Sequence, residues 1–209
     1  MVMSVISLAD LLRRLGDIPA DRIRFTPSPG TASKADLLNA ENKHCELVDG
    51  TLVEKPVGFI ESFLQMALGR HLGNWVAERK LGFITGEAGL YELSGGTVRG
   101  PDIAFTSWES TPDRKLPTEP VPLGSPDLVV EVLSRGNTKR EMEIKREEYF
   151  GGDVKLVWEI DPRKRSVRVY TSLDEFFDLA ATDTLRGEPV LPGFEIALSD
   201  LFGELDHHG

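Results

Sequence analysis

The sequence predicts an α/β domain with a mixed sheet and helices packed on its faces. Three observations carry this prediction: a two-residue hairpin signal near residue 50, a long amphipathic helix at about 60–76, and short apolar runs that flank a further helix at about 139–150. The predicted order of helix, three strands, helix and two strands is typical of this architecture.

The first 44 residues predict a helical arm packed on a core domain of residues 45–209. Ser7 caps a helix that extends to residue 15, because leucines recur there at helical spacing. Three prolines and a glycine make residues 17–32 irregular, and Ser33 caps a second helix that ends near Asn42.

The core domain is predicted to begin with the hairpin CELV-DG-TLVEK at 45–55, whose turn Asp49-Gly50 tolerates positive φ. In the long helix, Ile60, Leu64, Leu68 and Leu72 follow the 3-and-4 spacing that faces a core. Strands are predicted at 82–93, 98–105, 128–133, 155–161 and 166–171, with a proline-rich surface loop at 106–125. Thr138 and Glu141 form a capping box for the last helix, and Gly151-Gly152 end it.

Composition is that of a globular protein, with 209 residues of which 40% are hydrophobic and 28% charged. No apolar run is long enough to span a bilayer, and the N-terminus does not resemble a signal peptide. The single cysteine, Cys45, excludes an internal disulfide and is typical of a reducing compartment, so we expect a cytoplasmic protein. The net charge of −10 counts against non-specific binding of nucleic acid over a broad basic surface.

Glu131 lies in the middle of the apolar run 128–133, which predicts a strand buried on both faces. A buried carboxylate is normally protonated, paired or bound to a metal. The functional interpretation is a metal ligand. The structural one is a neutral side chain bonded to a neighbouring backbone, or a position on the exposed face of a one-sided strand.

Lys145 follows Met142 by three residues and precedes Tyr149 by four, so it shares the helix face that we expect to cover the sheet. A lysine that points inward needs a carboxylate, and Glu131 lies in the preceding strand. The alternative is a side chain whose stem packs while its amine reaches solvent.

The dipeptide Pro-Asp occurs twice, at Pro101-Asp102 and at Pro126-Asp127. Asp127 lies four residues before Glu131 on one strand, about 13 Å away, which is too far for a shared metal ion. Asp102 lies on a different strand, which can pair with that of Glu131 at about 4.8 Å. We therefore assign Asp102 to the site and give Asp127 a structural role at the strand entrance.

Two carboxylates and an ammonium at one end of a sheet, without a His or Cys cluster, favour Mg²⁺ or Mn²⁺ over zinc. Such an ion polarises a phosphoryl oxygen and activates a bound water. The residues thus predict metal-dependent cleavage of a phosphodiester, with Asp102 and Glu131 as ligands and Lys145 orienting the water.

These residues belong to a pattern that resembles the Uma-type restriction endonuclease family, within the PD-(D/E)XK nuclease superfamily. The matching segments cover roughly residues 31–202 and are 46–55, 101–102, 126–134, 137–138, 141–142, 145, 148–150, 156–162 and 191–202. The resemblance implies a restriction endonuclease-like αβββαβ core and a metal site at Asp102 and Glu131. In the superfamily motif a lysine follows the glutamate by two residues, but that position is Leu133 here. The resemblance implies that the lysine has moved to the next helix, at Lys145.

Several other polar residues are candidates for a functional site, and for most of them a structural role is the preferred interpretation. Glu61, at the start of the long helix, either joins the metal site or stabilises the helix N-terminus through its negative charge. His71 is interpreted as a packed core histidine, and neither His44-Cys45 nor His207-His208 forms a zinc site. The basic tip 163–165, with Arg168, is interpreted as a solvated turn in preference to a phosphate grip, and GGTVRG at 95–100 lacks the features of a P-loop.

The leading hypothesis is an endonuclease that acts on DNA rather than RNA, with a homodimer as one means of cutting both strands. The rival is a non-catalytic member that keeps the fold as a binding or toxin–antitoxin-like module. A nuclease is expected to carry a basic rim around the three site residues in spite of the acidic total.

Overall fold

A computed structural model describes residues 7–42, 44–56 and 58–206. Within these ranges the chain forms five α-helices: α1 (Leu8–Arg14), α2 (Lys34–Leu37), α3 (Phe59–Arg79), α4 (Lys139–Gly151) and α5 (Leu198–Gly203). Ser7 caps α1, and Thr138 with Glu141 forms the predicted capping box of α4. The second helix is shorter than predicted, since a separate 3₁₀ turn covers residues 40–42.

Twelve strands lie in the same part of the chain. They are β1 (Cys45–Val48), β2 (Thr51–Glu54), β3 (Gly82–Gly86), β4 (Tyr91–Glu92), β5 (Val98–Arg99), β6 (Ile103–Ser107), β7 (Leu128–Val132), β8 (Leu156–Asp161), β9 (Ser166–Tyr170), β10 (Phe176–Ala180), β11 (Thr184–Arg186) and β12 (Glu195–Ala197). The predicted hairpin is β1–β2, and Asp49 and Gly50 both have positive φ.

The central sheet has six strands in the order β10-β9-β8-β7-β6-β3. Its neighbours are antiparallel except β7 and β8, which run parallel and are joined through α4. The elements α3, β3, β6, β7, α4 and β8 therefore follow the αβββαβ order, and the predicted mixed sheet with helices on its faces is confirmed.

A second sheet, with the order β2-β1-β5-β4, was not predicted. The sequence analysis expects continuous strands at 82–93 and 98–105, but each one is divided. A turn closed by the Gly89 N–H and the Gly86 carbonyl separates β3 from β4, and Gly100-Pro101 separates β5 from β6. The short strands β4 and β5 thereby pair away from the central sheet, with each other and with β1. The C-terminal elements β10–β12 and α5 were also missed.

The helix α3 buries Leu64, Leu68 and Leu72 completely against one face of the central sheet. The prediction that Ile60 is buried is wrong, because its side chain is 49% exposed and lines an open cleft at the first turn of the helix. His71 is not a core residue either: its side chain is 42% exposed, with Nε2 3.5 Å from Glu204.

The N-terminal arm packs on the hairpin β1–β2 through an apolar cluster formed by Leu11, Leu15, Ile18, Ile23, Val48 and Val53. Arg22 joins the arm to α4 by a bidentate ion pair with Glu141, with N–O distances of 2.6 and 3.0 Å. The boundary at residue 44 stays a prediction. His207-His208 lie outside the described residues. No described helix is both long and apolar enough to cross a membrane.

Candidate active site

Glu131 is the next-to-last residue of β7, where every residue of the strand is buried. Lys145 of α4 donates to both carboxylate oxygens, each 3.1 Å from Nζ. The Tyr149 hydroxyl donates to Oε1 at 2.5 Å. The predicted contact between Lys145 and Glu131 is confirmed, and Lys145, Tyr149 and Met142 share the buried face of α4 as expected.

Asp102 immediately precedes β6, beside the strand that carries Glu131. Ile103 is paired with Val130 across the antiparallel strands, so the next pair outward sets Asp102 opposite Glu131, on one face of the sheet. Asp102 accepts from the Val132 N–H through Oδ2 at 2.7 Å and from Lys55 through Oδ1 at 3.0 Å. The Gln65 side chain donates to the Asp102 carbonyl and fixes this residue to α3.

Asp127 lies at the other end of β7. Its carboxylate accepts from the Ser107 N–H at 2.7 Å, from the Ser110 hydroxyl at 2.8 Å and from Lys155 at 2.5 Å. The predicted structural role at the strand entrance agrees with this bonding.

A second buried carboxylate, Glu46 of β1, was missed by the sequence analysis. Its Oε1 lies 3.5 Å from the Lys145 amine, and its Oε2 accepts from Arg99 at 2.7 Å. Arg99 also donates to Glu148 at 2.6 Å. The only sequence signals were a charged residue inside the short apolar run CELV and an arginine after an apolar one in GGTVRG, and neither shows which residues would meet.

The charges in this network determine one another's protonation. Burial raises the pKa of Glu131 above its usual value, against the influence of Lys145, and Asp102 raises it further. Burial alone would lower the pKa of Lys145, but Glu131 and Glu46 outweigh this effect and raise it. Burial also opposes ionisation of Glu46, yet Lys145 and Arg99 hold its pKa well below the usual range. Lys145 is therefore an ammonium and Glu46 a carboxylate at neutral pH.

Tyr149 completes the network as a neutral donor. Burial raises its pKa well above the usual value, and the neighbouring Glu131 raises it further. The phenol therefore stays protonated, and its O–H donates a hydrogen bond to Glu131.

Asp102 opens onto a cleft of about 130 Å³, which Glu61 and Val132 also line. A Cβ added at Gly58 would collide with Glu61 Oε2, so the Glu61 carboxylate folds over the start of α3. This position suits a helix N-terminal charge and also borders the cleft, so both interpretations of Glu61 stand as predictions.

A larger cleft of about 640 Å³ adjoins the first and shares Pro56, Gly58 and Glu61 with it. The charged residues along it are Asp21, Arg22, Glu54, Lys55, Glu61, Arg135 and Arg163. The rim is mixed in charge and is not the basic rim that the sequence analysis expects of a nuclease.

Most basic side chains at the tip of the β8–β9 hairpin form ion pairs with carboxylates of the same chain. Arg165 pairs with Asp206 and Arg168 with Asp178, each through two hydrogen bonds. Arg163 and Lys164 both lie 3.4 Å from Asp161. These contacts agree with the interpretation as a solvated turn.

Oxygen donors alone could hold a cation here. Asp102 and Glu131 share one sheet face, whereas no cluster of three or more His, Cys, Asp or Glu side chains with metal-binding geometry occurs among the described residues. Two carboxylates suit a hard ion that fills its remaining positions with water and substrate oxygens, as Mg²⁺ does. They do not suit a closed structural zinc site.

Comparison with known proteins gives a consistent result. The model of the Uma2 family, described as "Putative restriction endonuclease", matches residues 34–199. The crystal structure of a putative nuclease belonging to DUF820 from Anabaena variabilis ATCC 29413 superposes with a TM-score of 0.69 at 19% identity, over 77% of this chain and 90% of that one. No functionally curated protein is significantly similar to the chain.

Proposed function

The chain belongs to the Uma2 restriction endonuclease family, and from this premise we propose that it is a metal-dependent endonuclease that hydrolyses phosphodiester bonds in DNA. Family membership supports a nuclease, a hydrolase that acts on nucleic acid. The finer proposal rests on one observation: the fold brings Asp102, Glu131 and Lys145 together at one end of β7, beside a cleft that Asp102 lines.

Asp102 and Glu131 are the proposed ligands of Mg²⁺ or Mn²⁺. Such an ion, when bound, polarises a phosphoryl oxygen and lowers the pKa of a bound water. Tyr149 and Lys145 hold the Glu131 side chain in place, so that its oxygens are oriented before any cation arrives. Gln65 and the Val132 N–H fix Asp102 in the same way.

Lys145 is the proposed water-orienting group. Two of its N–H groups are given to Glu131. If one Glu131 oxygen turned to a cation, the N–H that it accepts would be available to a water. In hydrolysis the water oxygen bonds to phosphorus and the bond from phosphorus to the leaving sugar oxygen breaks. The water gives up one proton to solvent, and the leaving oxygen takes one from solvent. The ammonium would offset the negative charge that builds on the phosphoryl group.

DNA is the proposed substrate in preference to RNA, and the family description as a restriction endonuclease supports it. A homodimer is proposed as the form that cuts both strands, and the cytoplasm as the location, because a single buried cysteine is typical of a reducing compartment.

The test is cleavage of supercoiled plasmid with Mg²⁺ and with Mn²⁺, by the wild type and by Lys145→Ala. We expect the wild type to nick or linearise the plasmid and Lys145→Ala to lose this activity. Binding of Mn²⁺ should persist in the variant, because the carboxylates hold the ion. Lys145→Arg should restore little, since a planar guanidinium is a poor substitute for a compact ammonium. Wild-type rates in Lys145→Ala would exclude this role for the lysine.

The second candidate function is a non-catalytic module that keeps the nuclease fold to bind a partner. It is favoured by the mixed charge of the larger cleft and by the carboxylates around the Lys145 amine. Wild-type protein that binds DNA or RNA but cleaves neither with Mg²⁺ or Mn²⁺ would support this candidate over the first.

A further inference from the structure

The site contains two lysines, and they differ in how completely their amines are bonded. Lys145 is only 2% exposed, and its Nζ faces two Glu131 oxygens at 3.1 Å and a Glu46 oxygen at 3.5 Å. Its amine is thus surrounded by three carboxylate oxygens, two of which accept hydrogen bonds from it. Lys55 donates to the Gly100 carbonyl at 2.6 Å and to Asp102 at 3.0 Å. Among the described residues its third N–H meets no acceptor.

Lys55 is also placed where a ligand in the cleft can reach it. It follows β2, and its own N–H bonds to the His44 carbonyl at 2.8 Å, which continues the β1–β2 pairing and fixes its backbone. Its side chain is 9% exposed, and the residue lines the cleft of about 640 Å³. Lys145 is not among the residues that line the two clefts described above.

We propose that Lys55 is a second catalytic lysine, which balances Asp102 until a divalent cation binds there and then donates to a non-bridging oxygen of the phosphate being cleaved. This proposal rests on the proposed nuclease function and adds a substrate contact to it. The bond to the Gly100 carbonyl would hold the amine in place during the exchange, so only the bond to Asp102 would have to be given up.

The charge of Asp102 explains why Lys55 can bond either to Asp102 or to the phosphate. Asp102 Oδ2 is already bonded to the Val132 N–H, so a cation and the Lys55 ammonium compete for Oδ1. With a cation at Oδ1, the Asp102 charge would be neutralised without Lys55. The released ammonium would then be free to donate to the phosphate and stabilise the charge that develops in the transition state. A lysine suits this role because its ammonium is a compact point charge with rotatable donors.

The chain offers a matched control in Lys155, which pairs with Asp127 at the opposite end of β7 as Lys55 pairs with Asp102. The test compares Lys55→Met and Lys155→Met in the full chain. Mn²⁺ affinity is measured by titration calorimetry without DNA, and plasmid cleavage is measured at saturating Mg²⁺.

We expect Lys55→Met to bind Mn²⁺ more tightly, because the competing ammonium is gone. If Lys55 occupies Asp102 nine-tenths of the time, the gain is about tenfold. Cleavage should nevertheless fall by about 10²-fold or more, as it does when one transition-state donor is removed. Lys155→Met should match the wild type in both measurements.

The opposed changes in affinity and rate separate this role from a structural one. If Lys55→Met loses Mn²⁺ affinity together with cleavage, Lys55 only shapes the Asp102 site and the proposal is overturned. If it cleaves at the wild-type rate, the proposal is overturned while the nuclease function stands. If the wild type cleaves no nucleic acid, the proposed function fails and this inference fails with it. Should Lys55→Met not fold, Lys55→Gln keeps a donor for the Gly100 carbonyl and is expected to give the same split.

Discussion

The two Pro-Asp dipeptides of the chain meet nearly the same local environment. Asp102 accepts one backbone N–H at 2.7 Å and one lysine amine at 3.0 Å. Asp127 likewise accepts a backbone N–H at 2.7 Å and a lysine amine at 2.5 Å. Each carboxylate is therefore held in place, and its immediate bonds do not distinguish a site from a structural cap.

The difference lies in what the fold places beyond those first bonds. Asp102 stands opposite Glu131 and borders a cleft. Asp127 is completed by the Ser110 hydroxyl, and the Lys155 that pairs with it is 58% exposed. The comparison teaches that the dipeptide itself does not make a candidate site. What distinguishes the Asp102 end of β7 is the buried Glu131 carboxylate, on the strand beside Asp102.

The largest expected effect comes from removing the Glu131 carboxylate. Glu131→Gln should lower plasmid cleavage by at least about 10²-fold, the size of loss seen when one transition-state stabiliser is removed, and should weaken Mn²⁺ binding as well. The reason is that an amide is a poor ligand for a hard cation and that Lys145 loses the nearer of its two carboxylate partners. Cleavage rate and calorimetric metal affinity are the measurements.

The matched control is Glu159→Gln. Glu159 lies beside Glu131 on the parallel strand β8, is also buried, and pairs with Arg146 of α4. We expect this variant to keep cleavage. Equal losses in both variants would mean that any buried ion pair under α4 is needed for folding, and would remove the distinction between the two carboxylates.

The scaffold shared by both ends of β7 is tested through Leu68. Its side chain is fully buried between α3 and the sheet, so Leu68→Ala should lower the free energy of unfolding by about 2–5 kcal/mol. Ile60→Ala, on the exposed first turn of the same helix, should change it by no more than about 0.5 kcal/mol. Urea denaturation of both variants measures the difference, and equal losses would contradict the packing described for α3.

The smallest effect concerns Asp127 and depends on pH. Burial opposes its ionisation, but Lys155, Ser107 and Ser110 outweigh burial and lower its pKa. A lowered pKa adds stability that is present above the unfolded pKa and is lost as pH falls through the folded one. Asp127→Asn should therefore cost about 1–3 kcal/mol of unfolding free energy at pH 7.

That difference from the wild type should shrink below about pH 4, as the native carboxylate is protonated. Urea denaturation of both proteins across this pH range measures it. A difference that stays constant with pH would show that the ionised state of Asp127 contributes nothing to stability.

Local patterns in the sequence were sufficient for much of this picture. The hairpin turn, the capping box of α4 and the inward face of Lys145 all depend on residues within a few positions of each other. The position of Asp102 beside Glu131, on the neighbouring strand, was predicted from strand geometry. Ile60 shows where such reasoning ends, because helical spacing predicts a face but does not show where the sheet beneath it stops.

The parts that were missed depend on contacts between distant segments. Glu46 meets Arg99 across 53 positions of sequence, and Lys55 meets Asp102 across 47. Both contacts exist only because β4 and β5 leave the central sheet and pair with the hairpin. No spacing rule links residues so far apart, so the network around Lys145 appears only in the folded chain.

The central claim is that the Asp102 end of β7 is the active site. Its most direct test is plasmid cleavage with Mg²⁺ by Asp102→Asn beside Asp127→Asn, with the thermal midpoint of each variant measured in parallel. The account predicts that Asp102→Asn folds and loses cleavage by at least about 10²-fold, while Asp127→Asn melts earlier but cleaves at the wild-type rate wherever it is folded. Two results would contradict it: cleavage at the wild-type rate by Asp102→Asn, or a loss of cleavage by Asp127→Asn at temperatures where that variant is folded.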